Sequence, residues 1–459
     1  MPERPTALIM AAGWGTRMRS SLPKVLHPVC GRPMLDWVIA AARDAGAGRV
    51  VCVTRPGDGV AARLPEGVES VEQTSGEGTG SAVLAARDRL EPQSTVLILS
   101  GDHPLLSASL ITELIAAHEL ADAAATMLTT EGLDPAGYGR VVRAVDGSVE
   151  RIVETKTTEG VPAQELAIRE INLGAYAFAA GDLLGTLDSV GVTDGERYLT
   201  AVFPILIDGG RRVIAHRTTD VLSAIGVNTR ADLIEVERHA RRRLIEAHAL
   251  AGVSFSSPET TTIDFDVEIG EDTRIEPGVS LRRGTRIGRG CTIGPQTTIA
   301  AATIADGVSA RHSYLFDCEV EAGATIGPFA YLRPGASVGA GAKVGAFVEL
   351  KNSRIGAGAK VPHLSYIGDA DVGEGANVGA GNITANYDGR RKHRTVIGKG
   401  ARTGVDTSFV APVRVGDGAY TGAGSVITGD VPDGALGIAR EKQRNIEGFA
   451  KRVEDERTE

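Results

Sequence analysis

A short apolar run, Thr6 to Met10, leads into AAGWGTRMRSSLPK, which ends at Lys24. Gly13 and Gly15 let the backbone approach a ligand closely and turn N–H groups towards oxygen anions. Arg17 and Lys24 add fixed positive charge, and no acidic residue intervenes. The chemistry on offer is the grip of a phosphate. No G-K-[ST] follows, as in a Walker loop, and G-x-G-x-x-G is absent, so no dinucleotide fold is indicated. Asp102 closes a second apolar run, STVLILSGD, where a helix cap is the lesser alternative reading of an isolated carboxylate. His363, in PHLSYIGDA, is of the residue type that serves as a general base, although a lone histidine is more often structural.

These residues need elements to place them. TALIMAAG, GRVVCVT and STVLILSGD read as buried strands. PMLDWVIAAARDAGA and SLITELIAAHELADA read as amphipathic helices between them. The alternation predicts an α/β domain with a mostly parallel, Rossmann-like sheet over 1–230, helices on both faces, and ligands beyond the carboxyl ends of the strands. That puts AAGWGTR and LSGD on one rim. Residues 231–251 predict one uninterrupted linking helix. From 252 to 459 the texture changes. Ile263, Ile269, Ile275, Leu281, Ile287, Ile293 and Ile299 recur every six residues, and the period returns at Ile326. This predicts a left-handed parallel β-helix of hexapeptide repeats, each sixth aliphatic stacking on its predecessor. GAGNITANYDGRRKHRT breaks the period and reads as a loop leaving the prism.

The chain has 459 residues, enough for two domains or more, with 58 glycines and only 4% aromatics. Its net charge of -9 argues against nucleic acid as the main partner. No run approaches a membrane span, and four scattered cysteines form no metal or disulfide spacing, so a cytoplasmic protein with free thiols is expected.

AAGxGTRM…PKVLH resembles the signature of the sugar-phosphate nucleotidylyltransferases. With the repeats behind it, the chain resembles the bacterial bifunctional N-acetylglucosamine-1-phosphate uridyltransferase/glucosamine-1-phosphate acetyltransferases over residues 6–449. The resemblance implies that Met10, Ala11, Ala12 and Gly13 lie along UTP, and that Arg17 and Lys24 are catalytic cations for its triphosphate. It gives Gln73, Gly78 and Thr79 to uracil, and Ser100, Gly101 and Asp102 to the rim. Gly139, Glu154 and Asn172 would hold the N-acetylglucosamine moiety, and Asp102 and Asn228 would bind Mg2+.

In the second half the resemblance rests on GPFAYLRPGA, FVELKNS, HLSYIGDA and NITANYDG. It implies that His363 is the general base for the glucosamine amine. Arg333, Lys351, Tyr366 and Asn377 would bind glucosamine-1-phosphate. Ala380, Asn386, Tyr387, Val405, Ala423 and Arg440 would line the acetyl-CoA groove. A homotrimer, and a supply of UDP-N-acetylglucosamine for peptidoglycan and lipopolysaccharide, are implied likewise. Ser81, Ala201, Asn382 and Val405 depart from the usual pattern, and Trp14 fills a variable slot. Two rival readings predict other residues. A single-activity nucleotidylyltransferase would lack His363 and the NYDG loop, and a non-enzymatic exchange-factor subunit would lack Arg17, Lys24, Asp102 and Asn228.

Overall fold

An unbroken apolar strand must be covered on both faces, and Thr6–Met10 is such a strand. In a computed structural model, which describes residues 4–153, 161–193 and 195–458, it sits inside a nine-stranded sheet. The chain folds as two units, Met1–Arg242 and Arg243–Glu459.

The strands of this sheet are β1 (Thr6–Met10), β2 (Arg49–Thr54), β3 (Glu69–Glu72), β4 (Thr95–Ser100), β5 (Ala125–Thr130), β6 (Arg140–Arg143), β7 (Val149–Val153), β8 (Ile171–Ala179) and β9 (Val213–Arg217). The main order is β9–β5–β8–β4–β1–β2–β3. β1 runs parallel to β2 and β4, and β2 to β3. Ala7, Ile9, Leu97 and Leu99 pack on one face with Leu35 and Ile39 of helix Met34–Asp44 and Leu110 and Leu114 of helix Ala108–Leu120. Leu8, Val51, Val53, Val96 and Ile98 pack on the other with Phe178 and Phe203, whose rings stack 5.5 Å apart. The alternation along each strand thus feeds two cores.

β8 departs from the parallel rule: it is antiparallel to both β4 and β5. The chain reaches it through the antiparallel pair β6–β7 rather than through a helical crossover, so it can enter the sheet reversed. Its register slips between Asn172 and Tyr176, at Gly174, where φ is 70°.

The helix Arg230–Leu250 spans the boundary between the units. The second unit is built of strands two to four residues long, in parallel sheets of seven, ten and nine strands that form a β-helix. The stacking expected from the sequence needs correction. Ile263 is in register with Leu281, and Ile275 with Ile293; six residues carry the chain to the next face, not to the next coil. The break at GAGNITANYDGRRKHRT is also narrower than it reads. Ile383–Ala385 stays in the prism, pairing with Tyr366 and with Ser408–Val410. The period is lost because its inward positions are polar. Asn382 is wholly buried, donates to the Gly404 carbonyl at 2.8 Å and accepts from Thr403 at 2.7 Å. Thr384, also buried, donates to the Gly368 carbonyl at 2.9 Å. Satisfied in this way, such groups occupy a core that the sequence pattern reserves for aliphatics.

Candidate functional sites

The first site forms where β1, β2 and β4 end. Gly101 donates to the Met10 carbonyl at 3.0 Å, and a Cβ at Gly101 would meet that oxygen at 3.0 Å, so the two strand ends touch through glycine. Gly15 has φ 61°, and a Cβ there would lie 2.6 Å from Lys24 Cβ. Glycine therefore permits the turn that brings Lys24 back under the loop.

Lys24 Nζ bonds Asp102 Oδ2 and lies 3.4 Å from Asn228 Oδ1. Arg17 Nη2 donates to the same Asn228 oxygen at 2.9 Å. Asn228 owes its place to the start of the helix Arg230–Leu250. Asp232 accepts the N–H groups of Asn228 and Thr229 at 2.9 and 2.8 Å, and the Thr229 hydroxyl accepts from Asp232 N at 3.2 Å. This reciprocal cap satisfies the helix start and fixes the residue before it. Burial by itself would raise the Asp102 carboxyl; His103 and Lys24 outweigh it and hold it below the ordinary carboxylate value. The cluster is an anionic oxygen and an amide oxygen facing two cations.

Met10, Ala12, Gly13, Lys24, Gln73, Gly78, Thr79, Ser100, Asp102 and Asn172 line one cavity of about 440 Å3. The sequence-expected residues Ala11 and Gly101 lie beneath the wall, Ala11 donating to the Val53 carbonyl at 2.9 Å. Gly139 accepts from Asn172 N at 2.9 Å and so positions a wall residue. The Asn172 amide also donates to the Tyr176 hydroxyl at 2.7 Å. Thr79 turns its hydroxyl to Leu199 N at 3.0 Å, and Gly78 packs against the Arg197 carbonyl, closing the 73–79 segment. Glu154 lies outside the described residues. The sequence reading missed Arg55, Tyr198 and Thr200 on the wall, and Asp232 behind it. None of these sits in a glycine motif, and Asp232 was detectable only as the acidic third residue after Thr229. Among the departures, Ser81 is buried against the Glu77 carbonyl at 3.0 Å, and neither it nor Ala201 lines the cavity.

The second site lies on successive coils of the β-helix. Arg333 Nη1 pairs with Glu349 at 2.8 Å, and Glu349 is in register with Tyr366 on the next coil. Lys351 Nζ reaches Asp369 at 3.1 Å. Asp369 also accepts from Asn352 at 2.7 Å and from the Asn386 amide. Burial would raise this carboxyl, but the bonds from Asn352, Lys351 and Asn386 hold it low. The Lys351 ammonium holds Lys392 below the ordinary lysine value, while Lys351 itself is raised, first by a hydrogen bond to the Lys392 amine and next by Asp369. Asp369 and Lys392 were not singled out from sequence, although both lie in or beside quoted motifs.

His363 ends the strand Lys360–His363, and its side chain is exposed. Asn377 bridges to Lys360 of that strand, and Gly381 N, next to Ala380, lies 3.4 Å from the His363 carbonyl. Ala380, Val405 and Ala423 fall on three successive coils: Asp406 N donates to the Ala380 carbonyl at 2.8 Å and Gly424 N to that of Val405 at 2.9 Å. Tyr387 lies on the 386–393 loop, exposed, its hydroxyl donating to the Gly389 carbonyl at 2.8 Å. Arg440 is exposed, directly after Ala439, whose N–H meets Ser425 Oγ at 3.2 Å. Asn382 is a buried spine residue, whereas Val405 is exposed.

Residues 7–182 match the family model of the MobA-like NTP transferase domain, and 266–301 and 317–352 that of the bacterial transferase hexapeptide. The chain is similar to the bifunctional protein GlmU of Mycobacterium tuberculosis, 45% identical across 98% of this chain and 93% of that protein. The bifunctional protein GlmU of Brevibacillus brevis is 45% identical over 97% of each chain. That of Koribacter versatilis is also 45% identical, over 98% of this chain and 97% of its own. Among solved structures, a UDP-glucose pyrophosphorylase from Acinetobacter baumanii shares 20% identity and a TM-score of 0.42 over 54% of this chain and 98% of that one.

Proposed function

The chain belongs to the family of the bifunctional protein GlmU, and from that premise we propose how its two halves divide the work. The protein is a bifunctional transferase, a nucleotidyltransferase and an acetyltransferase of UDP-N-acetylglucosamine synthesis. We assign uridylyl transfer to residues 1–230, acetyl transfer to 252–459, and the connection to the helix between them.

In the first half, the observation that carries the assignment is the convergence of Asp102 and Asn228 on Lys24, with Arg17 beside them. The sugar-phosphate oxygen attacks the α-phosphorus of UTP in line and pyrophosphate leaves. Arg17 and Lys24 neutralise the departing charge, and positioning replaces any protein nucleophile. Gln73, Gly78 and Thr79 hold the base end, and Asn172 with Gly139 the sugar. One carboxylate and one amide oxygen that already face a cation are a hard donor set suited to Mg2+, and Asp102 and Asn228 would hold it. Bound there, the ion supplies Lewis-acid neutralisation of phosphate oxygens.

In the second half, His363 takes a proton from the glucosamine amine as its nitrogen attacks the acetyl-CoA thioester. The carbon–sulfur bond breaks and the thiol of coenzyme A leaves. Arg333 and Lys351, with Lys392 beside them, bind the sugar phosphate, and Tyr366 and Asn377 the sugar. Ala380, Val405 and Ala423 form the coil-to-coil track for coenzyme A, with Asn386, Tyr387 and Arg440 at its margins.

The protein works as a homotrimer in the cytoplasm, where UTP and acetyl-CoA are made. Support for self-association is the column of exposed Phe329, Phe347 and Leu364, the two rings stacked 5.1 Å apart. No described helix is long and apolar enough to cross a membrane. The test is a pair of assays on one preparation: thiol release from acetyl-CoA with glucosamine-1-phosphate, and pyrophosphate release from UTP with N-acetylglucosamine-1-phosphate. Absence of UTP-dependent pyrophosphate overturns the first assignment, and absence of thiol release the second. Sedimentation at micromolar concentration reads the trimer.

A further inference from the structure

Trp14 is the large exposed side chain of the glycine loop, 68% accessible, and neither reaction employs it. Its ring lies over the Arg55 guanidinium, with Cζ 3.5 Å from the ring centroid. Arg55 follows the end of β2, and Asp58 fixes its backbone by accepting Arg55 N at 3.1 Å. The guanidinium donates twice to one oxygen, the Ala12 carbonyl, from Nε at 3.1 Å and Nη2 at 2.9 Å. Its remaining nitrogen, Nη1, lies 3.7 Å from Glu77 Oε1. The side chain is only 20% accessible although it carries a charge. Trp14 is the cover that shields it.

A trans peptide points its C=O and N–H in opposite directions. With the Ala12 carbonyl held by Arg55, the Gly13 N–H is turned away from Arg55. Nothing lies within 4 Å of a Cβ built at Gly13, and Gly13 lines the cavity, so the loop is uncovered at this residue. Among the described residues, no N–H of residues 12–15 meets a protein acceptor. Ala12, Gly13, Trp14, Arg55 and Glu77 all line the same cavity.

We propose that Arg55, covered by Trp14, is the positioning residue of the UTP site: it sets the Ala12–Gly13 peptide so that its N–H faces the nucleotide, and it ties this loop to the 73–79 segment. The proposal rests on the assignment of UTP to this cavity. Arg55 touches no reacting atom and acts through the backbone, so its contribution is made equally in the ground and transition states and falls on KM.

The test uses the full chain with Arg55→Ala, Arg55→Lys, Trp14→Ala, Trp14→Phe and the Arg55→Ala/Trp14→Ala double variant. Arg55→Ala is expected to raise KM for UTP about tenfold, with kcat within about threefold and KM for N-acetylglucosamine-1-phosphate unchanged. Arg55→Lys, with one donor position in place of two, falls between. Trp14→Ala raises KM for UTP less than Arg55→Ala does, and Trp14→Phe restores it. The double variant is no worse than Arg55→Ala, because Trp14 acts through Arg55. Circular dichroism and an unchanged KM for N-acetylglucosamine-1-phosphate report that the first unit is folded. A KM for UTP within twofold of wild type in both alanine variants overturns the proposal, as does a drop in kcat at unchanged KM or full additivity in the double variant. Failure of the wild type to release pyrophosphate from UTP overturns the underlying assignment instead.

Discussion

Arg17 Nη2 donates to Asn228 Oδ1 at 2.9 Å and so joins residues 211 apart in the sequence. Asn228 is thus held twice, by Arg17 and Lys24 at its side chain and by Asp232 at its backbone. A phosphate-binding cation and an oxygen suited to a metal are fixed relative to one another before any substrate arrives. Preorganisation of this kind lets charges act on a transition state without first rearranging.

The two sites are expected to fail separately. Asp102→Ala removes the carboxylate that pairs with Lys24 and lowers uridylyl transfer by about 10^3-fold or more, leaving acetyl transfer intact. His363→Ala lowers acetyl transfer by about 10^2- to 10^4-fold and leaves uridylyl transfer intact. Paired assays on each purified variant, with circular dichroism to verify folding, check this. Loss of both activities in a folded variant contradicts independent sites.

Asp232→Ala breaks the cap that places Asn228. The expected loss is about 1 kcal/mol of stability, together with a raised Mg2+ requirement for uridylyl transfer. Thermal melts and Mg2+ titrations of the reaction read the two effects. A lower melting temperature with an unchanged Mg2+ requirement separates Asp232 from the site.

Gly15→Ala meets both a φ of 61° and a contact of 2.6 Å with Lys24 Cβ. Strain at a left-handed residue costs about 1–3 kcal/mol, and here the displaced neighbour is Lys24. Uridylyl transfer is expected to fall at least tenfold while acetyl transfer holds. Gly13→Ala has open space at its Cβ and serves as the milder comparison.

Asp369→Asn tests the buried carboxylate of the second site. The folded carboxyl titrates below its unfolded value, so its stabilisation is complete above the unfolded Asp value of about 3.9 and is lost as pH falls through the folded value. Wild type is expected to melt above Asp369→Asn at neutral pH, and the gap to narrow progressively as pH falls below about 4. The variant also loosens Lys351 and Asn386, so KM for glucosamine-1-phosphate rises. A gap that does not narrow at all as pH falls from about 7 to about 3 assigns the difference to packing rather than charge.

The sequence is most legible where each position has one physical duty. The aliphatic ladder from Ile263 to Ile299 is such a case, since a slot at the prism centre admits one compact apolar side chain. It fails at Asn382 and Thr384, whose polar atoms are satisfied by carbonyls that only the folded coil supplies. The reversal of β8 escapes notice because strand direction is set by the path of the connection, not by composition. Gly13, Lys24 and Asp102 stand out through motif and spacing. Arg55 and Asp369 do not, because each works on a residue distant in sequence through a hydrogen bond that no local pattern records, and Asp232, only three and four residues from its partners, reads as an ordinary helix-start acid until Asn228 is placed beside Lys24.

The coil geometry restricts how this chain can change in length. A residue inserted within a strand turns the next side chain from the axis to the solvent, so insertions are admissible at the corners, as in the 386–393 excursion, or as whole rungs. Length in the second unit is therefore quantised: the protein grows by floors, not by steps, and Ile263 and Leu281, one rung apart in register, measure the height of a floor.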